Sequence, residues 1–217
     1  MRRSFLSRLQ VVLVCAVFIL MPAAYAAAAD ADAMISRIQK AYEDIRDIRG
    51  SFSQKSIIRD LNKTETYKGD FSIKPPHKMK WSYKGRSAQD FIINNGSVLI
   101  IKKAENQAYK GRFDKTTYGQ TPVALLGGFG NIRDEFTTAA KGDAVLILKP
   151  KKPFGTVASI SIAVAGEGFP IRSFVITDTH ANVIEIELKN IMLNTGLKDE
   201  LFDPQLPKGI SIFDQGL

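Results

Sequence analysis

The chain opens on a nearly unbroken apolar run, Leu9 to Met21. Before it stands the basic stretch Met1-Arg2-Arg3-Ser4-Phe5-Leu6-Ser7-Arg8, and after it Pro22 and small residues ending in Ala24-Tyr25-Ala26. A basic start, about a dozen apolar residues and an A-x-A site describe a secretory leader. The run is shorter than the roughly 20 residues that a membrane span requires. Cleavage after Ala26, or a residue or two later, is therefore expected, with an uncleaved anchor as the alternative. Arg2-Arg3-Ser4-Phe5-Leu6 also resembles a twin-arginine export signal. From Asp30 to Arg46 the period is helical: Ile35, Ile38, Tyr42 and Ile45 share one face, while Lys40, Glu43, Asp44 and Asp47 populate the other. The spacing predicts an amphipathic helix with Asp30 or Asp32 as its cap.

After Gly50 the period becomes two. Strands are expected over 51–58, 65–73, 78–84, 89–94, 97–103, 106–112, 135–140, 144–149, 157–165, 171–178 and 182–191. The alternation is cleanest where Ile184, Ile186 and Leu188 oppose Glu185, Glu187 and Lys189, and where Ile160, Ile162 and Val164 oppose Ser159, Ser161 and Ala163. Asn94-Asn95-Gly96, Gly166-Glu167-Gly168 and Asp178-Thr179-His180-Ala181-Asn182 separate strands by lengths that suit antiparallel hairpins. One interruption reads as a short apolar helix, Thr121-Pro122-Val123-Ala124-Leu125-Leu126, stopped by Gly127-Gly128. The pattern predicts a leader, residues 1–26, and a single domain, 27–217. That domain is one large curled antiparallel sheet with two apolar helical pieces to cover it. Helices too small to fill a curled sheet leave a cavity.

Composition narrows the chemistry. With 45% hydrophobic and 24% charged residues the chain is of ordinary globular type. Removing Arg2, Arg3 and Arg8 leaves 27 basic against 22 acidic residues, a mild net +5. Cys15, the one cysteine, lies in the leader, so the exported part has no disulfide to lean on. Lys149-Pro150-Lys151-Lys152-Pro153 is a Pro-broken loop without the aromatic pattern of a nucleic-acid reader, and no nucleic-acid partner is expected. Two histidines outside the leader, His77 and His180, with no cysteine beside them, make a zinc site a poor reading. H-E-x-x-H and G-x-S-x-G motifs are absent, and Gly127-Gly128-Phe129-Gly130 reads as a helix stop and hinge. Asp178 and His180 fit a hairpin turn better than two members of a catalytic triad with a distant Ser. Phe52, Phe71, Trp81, Tyr83 and Phe91 fall in strands, where lining and core look alike in one dimension.

Several strings, in order, resemble the periplasmic outer-membrane lipoprotein carrier family, LolA. Phe52-Ser53-Gln54 is similar to that family's F-x-Q strand. Gly69-Asp70-Phe71-Ser72-Ile73-Lys74-Pro75-Pro76 with Met79-Lys80-Trp81 resembles its G-x-(apolar)-x-(apolar)-K-x-P…W segment. Asn95-Gly96 before Val98-Leu99-Ile100, Gln120-Thr121-Pro122 with Leu125-Leu126, Leu146 to Lys151, Asp178 to Leu188, and Phe202 through Pro207-Lys208-Gly209 continue the likeness. It spans essentially the whole exported part.

The resemblance implies an open, incomplete antiparallel β-barrel of about 11 strands, closed by short helices over an apolar cavity. Its implied function is to receive acylated lipoproteins released from the inner membrane by an ABC transporter and carry them across the periplasm to an outer-membrane receptor, without cofactor; the chain itself is expected to be a monomer. The lid would comprise Ile35, Ile38 and Tyr42 with Val123, Leu125 and Leu126, hinged at Gly127 and Gly128. The acyl-chain cavity would be lined by Phe52, Phe71, Met79, Trp81, Tyr83, Phe91 and Ile93, and across from them by Leu146, Leu148, Ile160 and Ile162. Met79 matches a position near the family's cavity rim and Trp81 one in its interior. Where the family often carries an Arg that helps to control the lid, this chain has Pro75, preceded by Lys74 as a substitute. Arg and Lys are not interchangeable at such a site. Two other readings are a lipid- or lipoprotein-sensing domain of an envelope stress pathway, which usually carries a second domain, and an exported hydrolase using Asp178 or His180.

Overall fold

A computed structural model describes residues 23–114 and 132–214, the side chains of residues 23–29 excepted. The apolar core of the leader and the expected helix at 121–128 lie outside the described residues.

Helix α1, Ala23–Glu43, is longer at its start than the pattern predicts and ends three residues before Arg46. Asp30 and Asp32 are therefore internal to the helix and do not cap it. The alanine-rich stretch after Tyr25 has the highest helix propensity in the set and carries the helix back into the expected leader. Its buried stripe is Ala31, Met34, Ile35 and Ile38, with Tyr42 half-buried behind them. Among the described residues no helix is long and apolar enough to cross a membrane.

Twelve strands follow among the described residues: β1 Ile48–Ile58, β2 Lys63–Lys74, β3 Lys78–Tyr83, β4 Gln89–Asn94, β5 Ser97–Lys102, β6 Gln107–Arg112, β7 Phe136–Lys141, β8 Val145–Pro150, β9 Val157–Val164, β10 Ile171–Asp178, β11 Val183–Leu193 and β12 Ser211–Asp214. A one-turn helix, α2, Ile132–Glu135, precedes β7. The strands make one open sheet in the order β12-β6-β5-β4-β3-β2-β1-β11-β10-β9-β8-β7. Two antiparallel meanders, β1 to β6 and β7 to β11, are thus joined at the centre by β1 pairing with β11. All eleven expected strands are present. The twelfth was not expected, and it departs from the antiparallel rule by pairing with β6 in parallel. Four exposed residues, Ser-Ile-Phe-Asp, are too short a stretch to show a period.

Turn chemistry follows the sequence. Asn95 and Gly96 both have positive φ, 48° and 88°, as a two-residue hairpin of the I′ kind requires. The Asp178 carboxylate accepts from the N–H groups of His180 (2.9 Å) and Asn182 (2.8 Å) and from the Asn182 side-chain amide (2.8 Å). It is occupied in holding the β10–β11 turn.

Residues paired across strands share a face. Ile73, Met79, Ile93 and Val98 form one row on the inner face, and Phe71, Trp81, Phe91 and Ile100 form the next. This register places Phe91 and Ile93 inside and Ile92 outside. Ile92 is buried all the same, because Phe202, with Leu197, Leu201, Leu206 and Ile210 around it, covers Ile92 and Ile101 from the outer side.

The central strands fit by a reciprocal exchange of ring and space. Gly50 of β1 lies opposite Phe71 of β2, and Phe52 lies opposite Gly69. A Cβ on Gly69 would stand 2.0 Å from the Ser82 carbonyl and 2.4 Å from the Phe52 ring; one on Gly50 would stand 2.8 Å from the Phe71 ring. Both rings stack on Trp81, with centroids at 4.0 Å for Phe52 and 5.5 Å for Phe71. We expect Gly69→Ala to lower the unfolding free energy by about 3 kcal/mol, since overpacking here meets backbone as well as ring. Urea denaturation with an unchanged m-value would check it.

Candidate functional site

The inner face is where the expected cavity residues gather. Phe52, Phe71, Met79, Trp81, Phe91 and Ile93 from the first meander belong to one buried cluster with Leu146, Leu148, Ile160 and Ile162 from the second. Ile35 and Ile38 of α1 are in the same cluster, and Tyr42 and Tyr83 pack at its margin. Val123, Leu125, Leu126, Gly127 and Gly128 lie outside the described residues. Met79, expected near a rim, is as deeply buried as Trp81. The cluster also contains residues that the pattern did not single out for the site: Ala31, Met34, Val98, Phe174, Ile176, Ile186 and Leu188. Their alternation was legible, but nothing in it set them apart from ordinary core.

These side chains have almost no accessible surface; Ile35, Ile38, Trp81, Leu146, Leu148 and Ile160 have none. A side chain lining space large enough for an acyl chain would retain some. In this state α1 occupies the inner face, with Tyr42 against the ring of Phe169 at 5.8 Å. Burial pushes the Tyr42 hydroxyl well above its ordinary range.

Among the described residues, two sets of polar contacts hold α1, and they differ in kind. At its C-terminal end, the buried Asp47 carboxylate accepts from Thr195 N (2.7 Å), Thr195 Oγ1 (2.9 Å), Gly196 N (2.8 Å) and Leu197 N (3.2 Å). Asn194 completes the joint: its Oδ1 accepts from Arg46 N at 2.7 Å and its Nδ2 donates to the Asp44 carbonyl at 3.2 Å. Burial alone would raise the Asp47 pKa, but the bonds from Thr195, Leu197 and Gly196 outweigh it and hold the carboxyl below its usual value. Nearer the start of the helix the fastening, among the described residues, is one guanidinium. Arg133 Nε donates to Asp32 Oδ1 at 2.9 Å, Nη1 to Gln39 Oε1 at 3.3 Å, and Nη2 to the Asp32 carbonyl at 3.4 Å and Ser36 Oγ at 3.5 Å. Asp32, Ser36 and Gln39 lie at i, i+4 and i+7, on one helical face. The Arg133–Asp32 pair is solvent-exposed, a setting worth at most about 1 kcal/mol. Neither Asp47 nor Arg133 carries a local signal in the sequence, because their partners lie about a hundred positions away or more.

Lys74 reaches the other side of the sheet. Its Nζ donates to Asp199 Oδ1 at 2.5 Å and to the Leu197 carbonyl at 3.3 Å, and Lys78 Nζ meets Asp199 Oδ2 at 2.7 Å. The two lysines hold the Asp199 carboxyl down to about 2. Among the described residues, the partners of Lys74 belong to the C-terminal segment. Among the same residues no three His, Cys, Asp or Glu side chains group as a metal site.

The family model described as outer membrane lipoprotein carrier protein LolA matches residues 43–205. The chain belongs to this family. The outer-membrane lipoprotein carrier protein of Halorhodospira halophila is 25% identical over 181 residues, covering 83% of this chain and 85% of that one. That of Dechloromonas aromatica is 24% identical over 182 residues, covering 82% and 86%. Among solved structures, an uncharacterized conserved protein from Thermus thermophilus superposes with a TM-score of 0.54 at 12% identity, covering 85% of this chain and 99% of that one. It shares the fold. The LolA match begins at Glu43, the last residue of α1, so the covering helix and its Arg133 fastening partners precede the matched region.

Two outcomes follow for the fastenings. Arg133→Ala should let the amides of α1 exchange about fivefold faster, as expected for loss of roughly 1 kcal/mol in local opening, and hydrogen exchange reads this. Asp47→Asn should cost about 2–3 kcal/mol at neutral pH, since hydrogen bonds to a buried charge are lost. A depressed carboxyl pKa stabilises above the unfolded value and ceases to do so as pH falls through the folded one. The gap between wild type and Asp47→Asn should accordingly narrow below about pH 4 in urea titrations.

Proposed function

We propose that this chain is a periplasmic chaperone that receives acylated lipoproteins and carries them to the outer membrane, shielding their acyl chains on the inner face of the sheet. An inner-membrane ABC transporter supplies the cargo and an outer-membrane receptor accepts it. Export rests on the leader pattern, and binding with release needs no bond-breaking chemistry and no cofactor. The observation that carries the reading is the apolar inner face, covered by a helix that is locked at one end and only lightly fastened along its length. Membership of the LolA family supports it.

Magnitudes favour this arrangement. Each methylene kept from water is worth about 0.8 kcal/mol, so a 16-carbon chain is worth roughly 12 kcal/mol. Met34, Ile35 and Ile38 of α1 together gain roughly 5–9 kcal/mol from burial against the sheet. One acyl chain therefore outcompetes the helix for the inner face when the alternative is water. When the alternative is a bilayer the chain is already shielded, and opening the helix is a net cost that a transporter must supply. The same cost assists release at the far membrane, because the helix closes behind the departing cargo.

Locking the helix tests this. Ser36→Cys with Arg133→Cys, bridged by a cleavable bismaleimide, should leave a folded protein that takes up a triacylated lipoprotein from spheroplasts at least about tenfold less well, an effect of the size expected when access needs roughly 1.4 kcal/mol or more of blocked opening. Cleaving the bridge should restore uptake. Equal uptake by the bridged and released forms would sink the carrier reading.

A further inference from the structure

The inner face changes character along its strands, and it does so at the same end on five consecutive ones. On β1 it passes from Phe52 to Gln54 and Ser56; on β2 from Phe71 to Tyr67 and Glu65. On β3 it runs Met79, Trp81, Tyr83; on β4 Ile93, Phe91, Gln89; on β5 Val98, Ile100, Lys102. The polar members of all five series line a single cavity of about 590 Å³, bounded by the turns at Gly85–Ser87 and Lys103–Glu105. The apolar floor and this polar end are one continuous surface, joined where Tyr83 meets the edge of Phe52 at 5.3 Å.

The polar end is preorganised and internally balanced. Tyr83 donates to Gln54 Oε1 at 3.1 Å, and Gln54 Nε2 donates to Ser56 Oγ at 3.0 Å. Glu65 is engaged by Lys63 at 2.5 Å and by the Tyr67 hydroxyl, and Lys102 by Glu105 at 3.3 Å. With its carboxylates and amines paired, the cavity suits a neutral group rich in carbonyls more than a strongly charged one. A donor remains for such a group in the Arg86 guanidinium of the lining.

Resting on the carrier reading, we infer that this polar end binds the ester-and-amide junction of the cargo, where the acyl chains join the glyceryl-cysteine. The chains lie along the apolar rows, and the polypeptide leaves past the Gly85–Ser87 turn. The site recognises the linkage as well as the chains, which separates acylated cysteine from free fatty acid. The glyceryl esters of a phospholipid offer part of the same chemistry.

The test uses the full exported chain, whose lack of cysteine outside the leader permits single labelling. A bimane on Ser87→Cys marks the polar end, and one on the exposed Met192→Cys marks the opposite end of the β1–β11 pair. The probe is a synthetic triacylated cysteinyl peptide with Trp as its second residue, which quenches bimane at short range. Quenching at position 87 and not at 192 is expected. Gln54→Leu with Tyr83→Phe should weaken the lipopeptide about tenfold while leaving palmitate binding unchanged. Quenching at 192 in place of 87, an equal loss for both ligands, or tighter and equally sensitive binding of dipalmitoyl phosphatidylglycerol would each overturn the inference and leave the carrier reading standing. Failure of the unlabelled wild type to bind the lipopeptide at all would overturn both.

Discussion

An aromatic ring needs somewhere to lie, and in this sheet the place is a missing side chain on the next strand. The exchange of Phe52 over Gly69 and Phe71 against Gly50 sets the register of β1 on β2 and brings both rings onto Trp81. A slip of one residue would turn every inner side chain outward, and it would also drive the rings into backbone. That single constraint fixes which side of β1 through β5 carries the apolar rows. It likewise fixes where those rows end, because Gln54, Tyr67 and Tyr83 follow at the next inner positions. The Gly pattern thus specifies the interior as well as stabilising it.

The second organising principle is unequal fastening. Asp47 is buried and accepts four hydrogen bonds, so removing it leaves donors without a partner in a dry setting, which is expensive. Arg133 makes as many contacts, but in water, where each is replaced at little loss. Number of bonds does not decide how much each joint contributes to holding α1; solvent does. The buried joint of α1 lies between Asp44 and Asn194, and the exposed one lies beside Asp32.

Most of the fold was legible in the sequence and much of the fastening was not. Alternation of type along Val183–Leu188 or Ser159–Val164 is a local consequence of one wet and one dry face, so the strands could be read directly. Phe91-Ile92-Ile93 could not be assigned a face, because the C-terminal segment buries the outer side of β4 and erases the alternation. The start of α1 was hidden by an alanine-rich stretch that suits both helix and leader, and β12 by its length. Of the site, the aromatic and branched positions were found as a set, yet the distinction between lining and core needed the third dimension. Lys74, beside Pro75, meets Leu197 and Asp199, while the guanidinium that reaches α1 is that of Arg133, across a sequence distance that no local pattern records.

The pairing of β1 with β11 sets the order in which this chain can be completed. Ser51 meets Lys189 across 138 positions, and Asp47 meets Thr195 across 148. A chain delivered from its N-terminus can form the β1–β6 meander early, since those contacts are local. Its middle strand nonetheless keeps one bare edge until nearly the whole polypeptide has arrived. Long loop closures are slow, and bare edges attract other strands. The period of greatest exposure to aggregation therefore falls between emergence of residue 58 and emergence of residue 197, and truncation near the C-terminus should be felt first at the centre of the sheet.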